Sequence, residues 1–400
     1  MISDIARQAI NAVQVCEHAY TKFLSANDSG ETKAHQMGIL ISTSAWRLMF
    51  AGERPETGSP VKRYVEVIVQ NDVANPRQLA LTYYASKKEI RLTNWGRGDQ
   101  FLLPNYTGSL FIMARLDYDH YCVFRLDTED DINEFLDTVG QSSTQTDNII
   151  GVNPIRESLL DAINERALKL IGDNDIFPTT NVMSENARDI EELVLDHTEY
   201  IKKRPDKKII NWVNIEYSLF KAVENHMYGA QLKNGFANVD EFVATANSIL
   251  NRRKARAGKG LESHVSAILD GNHISYTPQA VTELNKKPDF ILPSIKKYKD
   301  PSYPADGLTS LAVKTTCKDR WRQVISEADR LNDRPKYLLT LQQGISSNQL
   351  REMESEQVKL VVPRIYIKKY PVPFQKKILT VEEFINIVHD REAEYFVTDK

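Results

Sequence analysis

Three side chains within one stretch are of the types that cut a phosphodiester. Asp289 heads the apolar run Phe290-Ile291-Leu292, Lys314 ends the run Leu311-Ala312-Val313, and Glu327 follows it. The phosphate to be attacked is an anion and repels its nucleophile. A divalent cation held by carboxylates offsets that charge and lowers the pKa of a bound water. A lysine ammonium beside the cation can orient the water and stabilise the charge that develops. Asp289 and Glu327 are the candidate metal ligands, and hard carboxylate oxygens suit Mg²⁺.

These residues need elements that bring them together. Asp289 and Lys314 are 314 − 289 = 25 residues apart, room for a strand, a turn and a returning strand. Both apolar runs are short and bounded by Pro or Gly, the pattern of buried strands, with the turn at Pro301 to Gly307. After Lys314 the period changes. Trp321, Val324, Ile325, Ala328 and Leu331 share one face of a helix, which would point Arg320 and Glu327 to one side. On spacing alone, a salt-bridged surface helix after an ordinary hairpin is the favoured reading, because Asp, Lys and Glu are common.

Two cationic features flank the trio. Lys318-Asp319-Arg320 alternates cation, acid and cation. Cations pair with guanine O6 and N7, and a carboxylate accepts from cytosine N4, so the triplet can read a GG/CC half-site. Asp319 can equally cap a helix N-terminus. Arg252, Arg253, Lys254, Arg256 and Lys259 gather five cations in eight residues, a density suited to a phosphate backbone, and Arg322 adds a sixth beside the triplet. Trp212 and Tyr217 read as core aromatics or as stacking partners for an extruded base.

Lys286-Lys287-Pro288-Asp289-Phe290, the run Leu311 to Gln323, Glu327-Ala328-Asp329, Asn251 to Lys254 and Leu360-Val361-Val362-Pro363 together resemble the EcoRII-like restriction endonucleases. So do Leu24-Ser25-Ala26-Asn27-Asp28 and Asn94-Trp95-Gly96-Arg97-Gly98 in the N-terminal half. That group lies within the PD-(D/E)XK nuclease superfamily and reads sites in which CC and GG flank the centre. Ala312 stands two before Lys314 where the superfamily has an acid, and the resemblance maps the missing carboxylate onto Glu327. It also marks Glu262 as a further acidic position, and Trp212 and Tyr217 as a base-flipping pocket.

The resemblance implies a C-terminal α/β nuclease domain, a mixed sheet flanked by helices, preceded by a mainly-β, B3-like pseudobarrel that binds a second copy of the site. Its DNA-facing residues would be Ser25, Asn27, Asp28, His35 and Gln36 on one arm and Arg91, Thr93, Asn94, Trp95 and Arg97 on the other. Leu40 stands where a Tyr is expected.

Four hundred residues suit two domains, and 42% apolar residues with a mean hydropathy of −0.42 suit a soluble globular chain. A net charge of −3 excludes nucleic-acid binding through bulk charge, so local basic patches must carry it. Cys16, Cys122 and Cys317 show no paired spacing, which argues against a disulfide framework or zinc site. Met1-Ile2-Ser3-Asp4 lacks the basic start of a signal peptide, and no apolar run approaches a membrane span, so a cytoplasmic protein with no membrane partner is expected.

Helical spacing runs over 5–23, short β-like runs fill 38–126, and helices are predicted over 128–139 and 152–171. Residues 239–270 read as one or two helices with Val239, Phe242, Val243, Ala246, Ile249 and Leu250 on a core face. The expected division is 1–171 as an effector domain, 172–187 as a linker and 188–400 as the catalytic domain.

The reading is an effector-activated (type IIE) restriction endonuclease cutting double-stranded DNA at a CCWGG- or CCNGG-like site with Mg²⁺, leaving 5′-phosphate ends. Its N-terminal domain would block the catalytic cleft until a further copy of the site binds. A palindromic site implies a homodimer, and a cognate DNA methyltransferase would be its functional counterpart. A DNA-binding regulator with a dead nuclease fold would lack Asp289, Lys314 or Glu327. A structure-specific repair nuclease would lack the base-reading triplet.

Overall fold

The computed structural model describes residues 2–32, 38–96, 98–153, 155–172 and 176–396. Among them the strands form two sheets. The first holds β1 (His18–Phe23), β2 (Ile39–Ile41), β3 (Val61–Val69), β4 (Arg77–Tyr84), β5 (Glu89–Thr93), β6 (Leu110–Arg115), β7 (His120–Leu126) and β8 (Asn148–Ile149). Their order is β2-β5-β4-β3-β7-β6-β1-β8, antiparallel except where β3 lies parallel to β7.

Both faces of this sheet are covered. Tyr20, Ile41, Val65, Leu81, Leu92, Phe111 and Tyr121 pack on one side. Phe23, Ile112 and Phe124 pack on the other, under the helices Asp4–Val15 and Glu129–Val139. That coverage explains a correction. The apolar spacing over 5–23 predicts one helix, yet it ends at Val15 and β1 follows. In β1 every residue after His18 is buried, so the alternation that marks a half-exposed strand is missing.

The chain divides into two compact units. The first comprises Met1–Pro154 with the returning segments Gln342–Glu352 and Tyr366–Lys376. Within it, Gln343 donates from Nε2 to the Ser143 carbonyl at 2.7 Å, and the Ala26 N–H donates to the Lys369 carbonyl at 3.0 Å. Gly108 and Gly344 pass closely, both at positive φ, and a Cβ on Gly108 would strike the Gly344 carbonyl oxygen.

The second unit comprises Ile155–Leu341, Met353–Ile365 and Lys377–Lys400. The helix Glu157–Ile171 belongs here, because Leu159, Ile163 and Ala167 pack on Met183, Ala187, Leu219 and Val223. The division therefore falls before this helix rather than after residue 171. The second half of the stretch expected as a linker is helix as well, Thr180–Leu195, with Thr179 as its cap. Its apolar stripe is too narrow and polar-flanked to stand out in the sequence.

Two long helices follow, Pro205–Asn234 and Val239–Gly271, joined as a hairpin by Arg253–Glu224 and Gln231–Glu241 contacts. The expected core face at the start of the second is not one. Val239, Phe242 and Val243 are exposed, and burial begins in earnest at Leu261 and Val265.

The second sheet is β9 (Thr277–Pro278), β10 (Phe290–Leu292), β11 (Thr309–Lys314), β12 (Lys336–Thr340) and β13 (Val358–Val361), in the order β13-β12-β11-β10-β9. β11, β12 and β13 run parallel, while β9, β10 and β11 are antiparallel. Helix Val381–Phe396 completes this mixed α/β part, while most of the helix Ser347–Ser355, between β12 and β13, belongs to the first unit. Among the described residues no helix is long and apolar enough to cross a membrane, and all three cysteines are free.

Candidate active site

Phe290 pairs with Leu311 across β10 and β11, so the next residue back, Asp289, lies opposite Ala312. Ala312 and Lys314 point to the same face, because side chains alternate along a strand. The hairpin register thus delivers Asp289 to Lys314. The Lys314 Nζ is 3.0 Å from Asp289 Oδ2, and the Val313 N–H donates to the same oxygen at 2.7 Å. Gln279, just after β9, donates from Nε2 to Asp289 Oδ1 at 3.0 Å and to Glu262 Oε2 at 2.9 Å. Glu262, from the Val239–Gly271 helix, thereby joins the group.

Glu327 completes it by a route different from the one expected. The predicted long helix stops at five residues, Trp321–Ile325. In a continued helix the Ile325 carbonyl would accept from the Asp329 N–H. Here that carbonyl accepts from Lys336 Nζ at 2.6 Å, and the Asp329 N–H donates to Glu283 Oε2 at 3.2 Å. The Arg330 N–H goes to the Tyr298 hydroxyl at 3.1 Å. The last turn tightens, with the Ser326 and Glu327 N–H groups donating to the Gln323 and Val324 carbonyls, the bonds beyond it go to other elements, and Ala328 turns into the left-handed region with φ 54°. Glu327 sits on this turn.

The electrostatics betray an excess of negative charge. Burial, then the charge of Asp289, pushes the Glu327 carboxyl up to about 7. The same two causes raise Glu262. Glu327 Oε2 is buried without a hydrogen-bond partner. Among the described residues no three His, Cys, Asp or Glu side chains are grouped to hold a metal. Lys314 and Val313 take Asp289 Oδ2, and Gln279 takes Glu262. The donor set still fits a hard divalent cation. All its donors are oxygens, one is orphaned, and two carboxyls are pushed toward protonation by burial first and by the Asp289 charge second.

The triplet forms the turn before the short helix. Lys318 is buried, and Asp319 and Arg320 are exposed. Asp319 does not cap the helix; Arg320 occupies that position without a side-chain cap bond. Of the basic run, Arg253 grips Glu224 with bonds of 2.8 and 2.5 Å, Arg252 bonds the Tyr228 hydroxyl, and buried Arg256 lies 3.6 Å from Glu216. These arginines brace the helix hairpin, whereas Lys254, Lys259 and Arg322 are exposed. Trp212 and Tyr217 are buried among helices, Trp212 beside His264 and Tyr217 beneath Arg256, closed to a base in this conformation.

In the first sheet, Asp28 is buried and occupied. Its Oδ2 accepts from Ser25 N and Oγ and from Lys22 Nζ at 2.8 Å, and its Oδ1 accepts from Leu40 N at 2.7 Å. Asn27 Oδ1 accepts from the Thr32 hydroxyl. Arg91 pairs with Glu89, and the Thr93 hydroxyl bonds the Ala80 carbonyl. Trp95 is a core anchor stacked on Phe101, while Asn94 is exposed at positive φ. His35, Gln36 and Arg97 lie outside the described residues.

Gln279, Lys286, Asp329 and Lys336 escaped the sequence reading. Gln279 carries no charge and no motif spacing. The other three look like ordinary surface charges until the turn that they hold is seen.

A family model described as EcoRII C terminal matches residues 220–385, and one described as restriction endonuclease EcoRII, N-terminal, matches residues 14–145. The chain is 33% identical over 393 residues to the type II restriction enzyme EcoRII of Escherichia coli, covering 92% of this chain and 94% of that protein. It is 26% identical over 141 residues to the type II restriction enzyme SsoII of Shigella sonnei, covering 33% of this chain and 45% of that protein. Among solved structures, metal-depleted Ecl18kI in complex with uncleaved, modified DNA shares 18% identity and a TM-score of 0.47, over 59% of this chain and 85% of that one.

Proposed function

Since this chain belongs to the EcoRII family of type II restriction enzymes, and is thus a site-specific restriction endonuclease that acts on DNA, we propose that it cuts at a CC/GG-flanked site with Mg²⁺ and is effector-activated. One observation carries the assignment of the centre: Lys314 Nζ lies 3.0 Å from Asp289, and Glu327, one of whose oxygens has no hydrogen-bond partner, feels the charges of both. Asp289 and Glu327, with the Val313 carbonyl, are the groups proposed to hold the ion. When bound, it would neutralise charge on the scissile phosphate and lower the pKa of a water.

The chain's own residues supply the rest. Lys314, released from Asp289, orients the attacking water and stabilises the developing charge. Gln279 keeps Glu262 and Asp289 in register. Lys318, Asp319 and Arg320 stand one turn beyond Lys314, where a duplex at the centre would present base edges, and are proposed to read GG/CC. In-line attack leaves 5′-phosphate and 3′-hydroxyl ends. Lys254, Lys259 and Arg322 are proposed to meet the backbone.

Residues 1–154 are proposed as the effector part, acting in a cytoplasmic homodimer with a methyltransferase as counterpart. Autoinhibition is proposed from the family resemblance alone; the segments following β12 and β13 belong to the first unit. They pack with the first sheet, and the Lys369 carbonyl ties down Ala26, between Ser25 and Asn27 of the expected effector loop. The test is digestion of plasmids with one and with several CC/GG-type sites in Mg²⁺, with mapping of the ends. Cutting scattered outside such sites, or 3′-phosphate ends, would overturn the reading.

A further inference from the structure

The turn bearing Glu327 has no helix to hold it, so something else must set its distance from Asp289. Lys286, three residues before Asp289, extends to that turn. Its Nζ lies 3.0 and 3.1 Å from the two carboxylate oxygens of Asp329, two residues after Glu327. The same pair of segments is tied a second time by Glu283, which accepts from the Asp329 N–H. Tyr298 donates its hydroxyl to Glu283 and accepts from the Arg330 N–H. From behind, buried Lys336 holds both ends of the turn, at the Ile325 carbonyl and at Asn332 Oδ1, 2.9 Å away.

We infer that the Lys286–Asp329 ion pair is a positioning clasp that sets the spacing of the Asp289 and Glu327 carboxylates, with Lys336 as its fixed backstop. The loop before β10 carries one carboxylate and the turn before β12 carries the other. No continuous element links them, and the ion pair spans the gap between them. The clasp is half-exposed and adds little core, so its loss should loosen the site without unfolding the chain. Lys286 and Asp329 hydrogen-bond to each other rather than to Asp289 or Glu327, and the Lys286 charge also favours the ionised Glu327.

The inference rests on Asp289 and Glu327 being the metal carboxylates, and the test separates the two ideas. Four variants of the full chain are compared: Lys286→Asp, Asp329→Lys, the charge swap carrying both, and Glu327→Gln. Three quantities are read: the Mg²⁺ concentration for half-maximal cutting, Mg²⁺ binding by calorimetry with duplex present, and duplex affinity without metal. Each single clasp variant should raise the half-saturating Mg²⁺ about tenfold, in cutting and in calorimetry alike, the scale of outer-shell changes at metal sites. Duplex affinity should stay within about twofold, and the swap should recover most of the loss, since only a direct pair is restored by exchange. An unchanged Mg²⁺ requirement in the single variants, or a swap as poor as their sum, overturns the clasp. Full cutting by Glu327→Gln overturns the metal assignment itself, whatever the clasp variants do.

Discussion

Asp289 has every oxygen engaged, by Lys314, Val313 and Gln279, and its neighbour Glu327 has one oxygen engaged by nothing. That imbalance suits a centre awaiting a cation and sets the first expectations. Asp289→Ala should lower cutting by about a thousandfold, the several kcal/mol of charge stabilisation that a metal site supplies, while sequence-specific binding persists in a mobility-shift assay. Retained cutting would remove Asp289 from the centre.

Glu327 ties the same chemistry to pH. A carboxyl raised to about 7 in the folded, metal-free protein binds its proton more tightly there than in the unfolded chain. Between its ordinary value and about 7, the folded state therefore carries the extra proton, and stability falls as pH rises through that window. Glu327→Gln should flatten that slope, leaving the part that the raised Glu262 contributes, and make the protein more stable at pH 8, by on the order of 2 kcal/mol. A urea titration at pH 5 and pH 8 reads both. Protons and the cation compete for the same oxygens. The acid limb of cutting should thus move to lower pH as Mg²⁺ is raised, and a limb indifferent to Mg²⁺ would count against this.

At the scale of elements, the informative piece is the short helix Trp321–Ile325. Of its expected apolar positions, Trp321, Val324, Ala328 and Leu331 are buried and Ile325 is only half-buried, yet Ala328 and Leu331 lie beyond the helix. Helical spacing survives while the helix does not, because Lys336, Glu283 and Tyr298 outbid the backbone for the bonds of the next turn. Ala328, buried at positive φ, is the pivot. Ala328→Val should cost about 2 kcal/mol, since a β-branched side chain is strongly disfavoured there. Ala328→Gly should be close to neutral. Equal tolerance of both in denaturant unfolding would show that the turn is not held in this conformation.

At the scale of the whole molecule, the nuclease strands return chain to the N-terminal sheet twice. Gln343 is the best placed probe of that packing, donating to the Ser143 carbonyl and the Thr146 hydroxyl from a fully buried position. Gln343→Ala should lower stability by about 1–3 kcal/mol. If the packing is inhibitory, it should also raise cutting of a one-site plasmid several-fold with little change on a many-site plasmid. Lost stability without that gain would separate the packing from regulation.

How much was legible varied with the physics. Most strands of the two sheets and the Asp289–Lys314 hairpin were written in local patterns, because a register of period two needs only neighbours along the chain and one turn, whereas β1, buried at every residue after His18, was not. The pairing of Asp289 with Lys314 followed from that alone. The helix Glu157–Ile171 was visible, but its allegiance was not, since an apolar stripe does not name its partner. Asp28 and Trp95 carry the residue types of DNA contacts, and folding used them to pin Leu40 and fill the core. Sequence by itself determined which side chains could do the chemistry and the strands that carry two of them. Only the tertiary structure decided where Glu327 sits, because the bonds that end its helix come from Glu283, Tyr298 and Lys336, residues that no local rule connects to it.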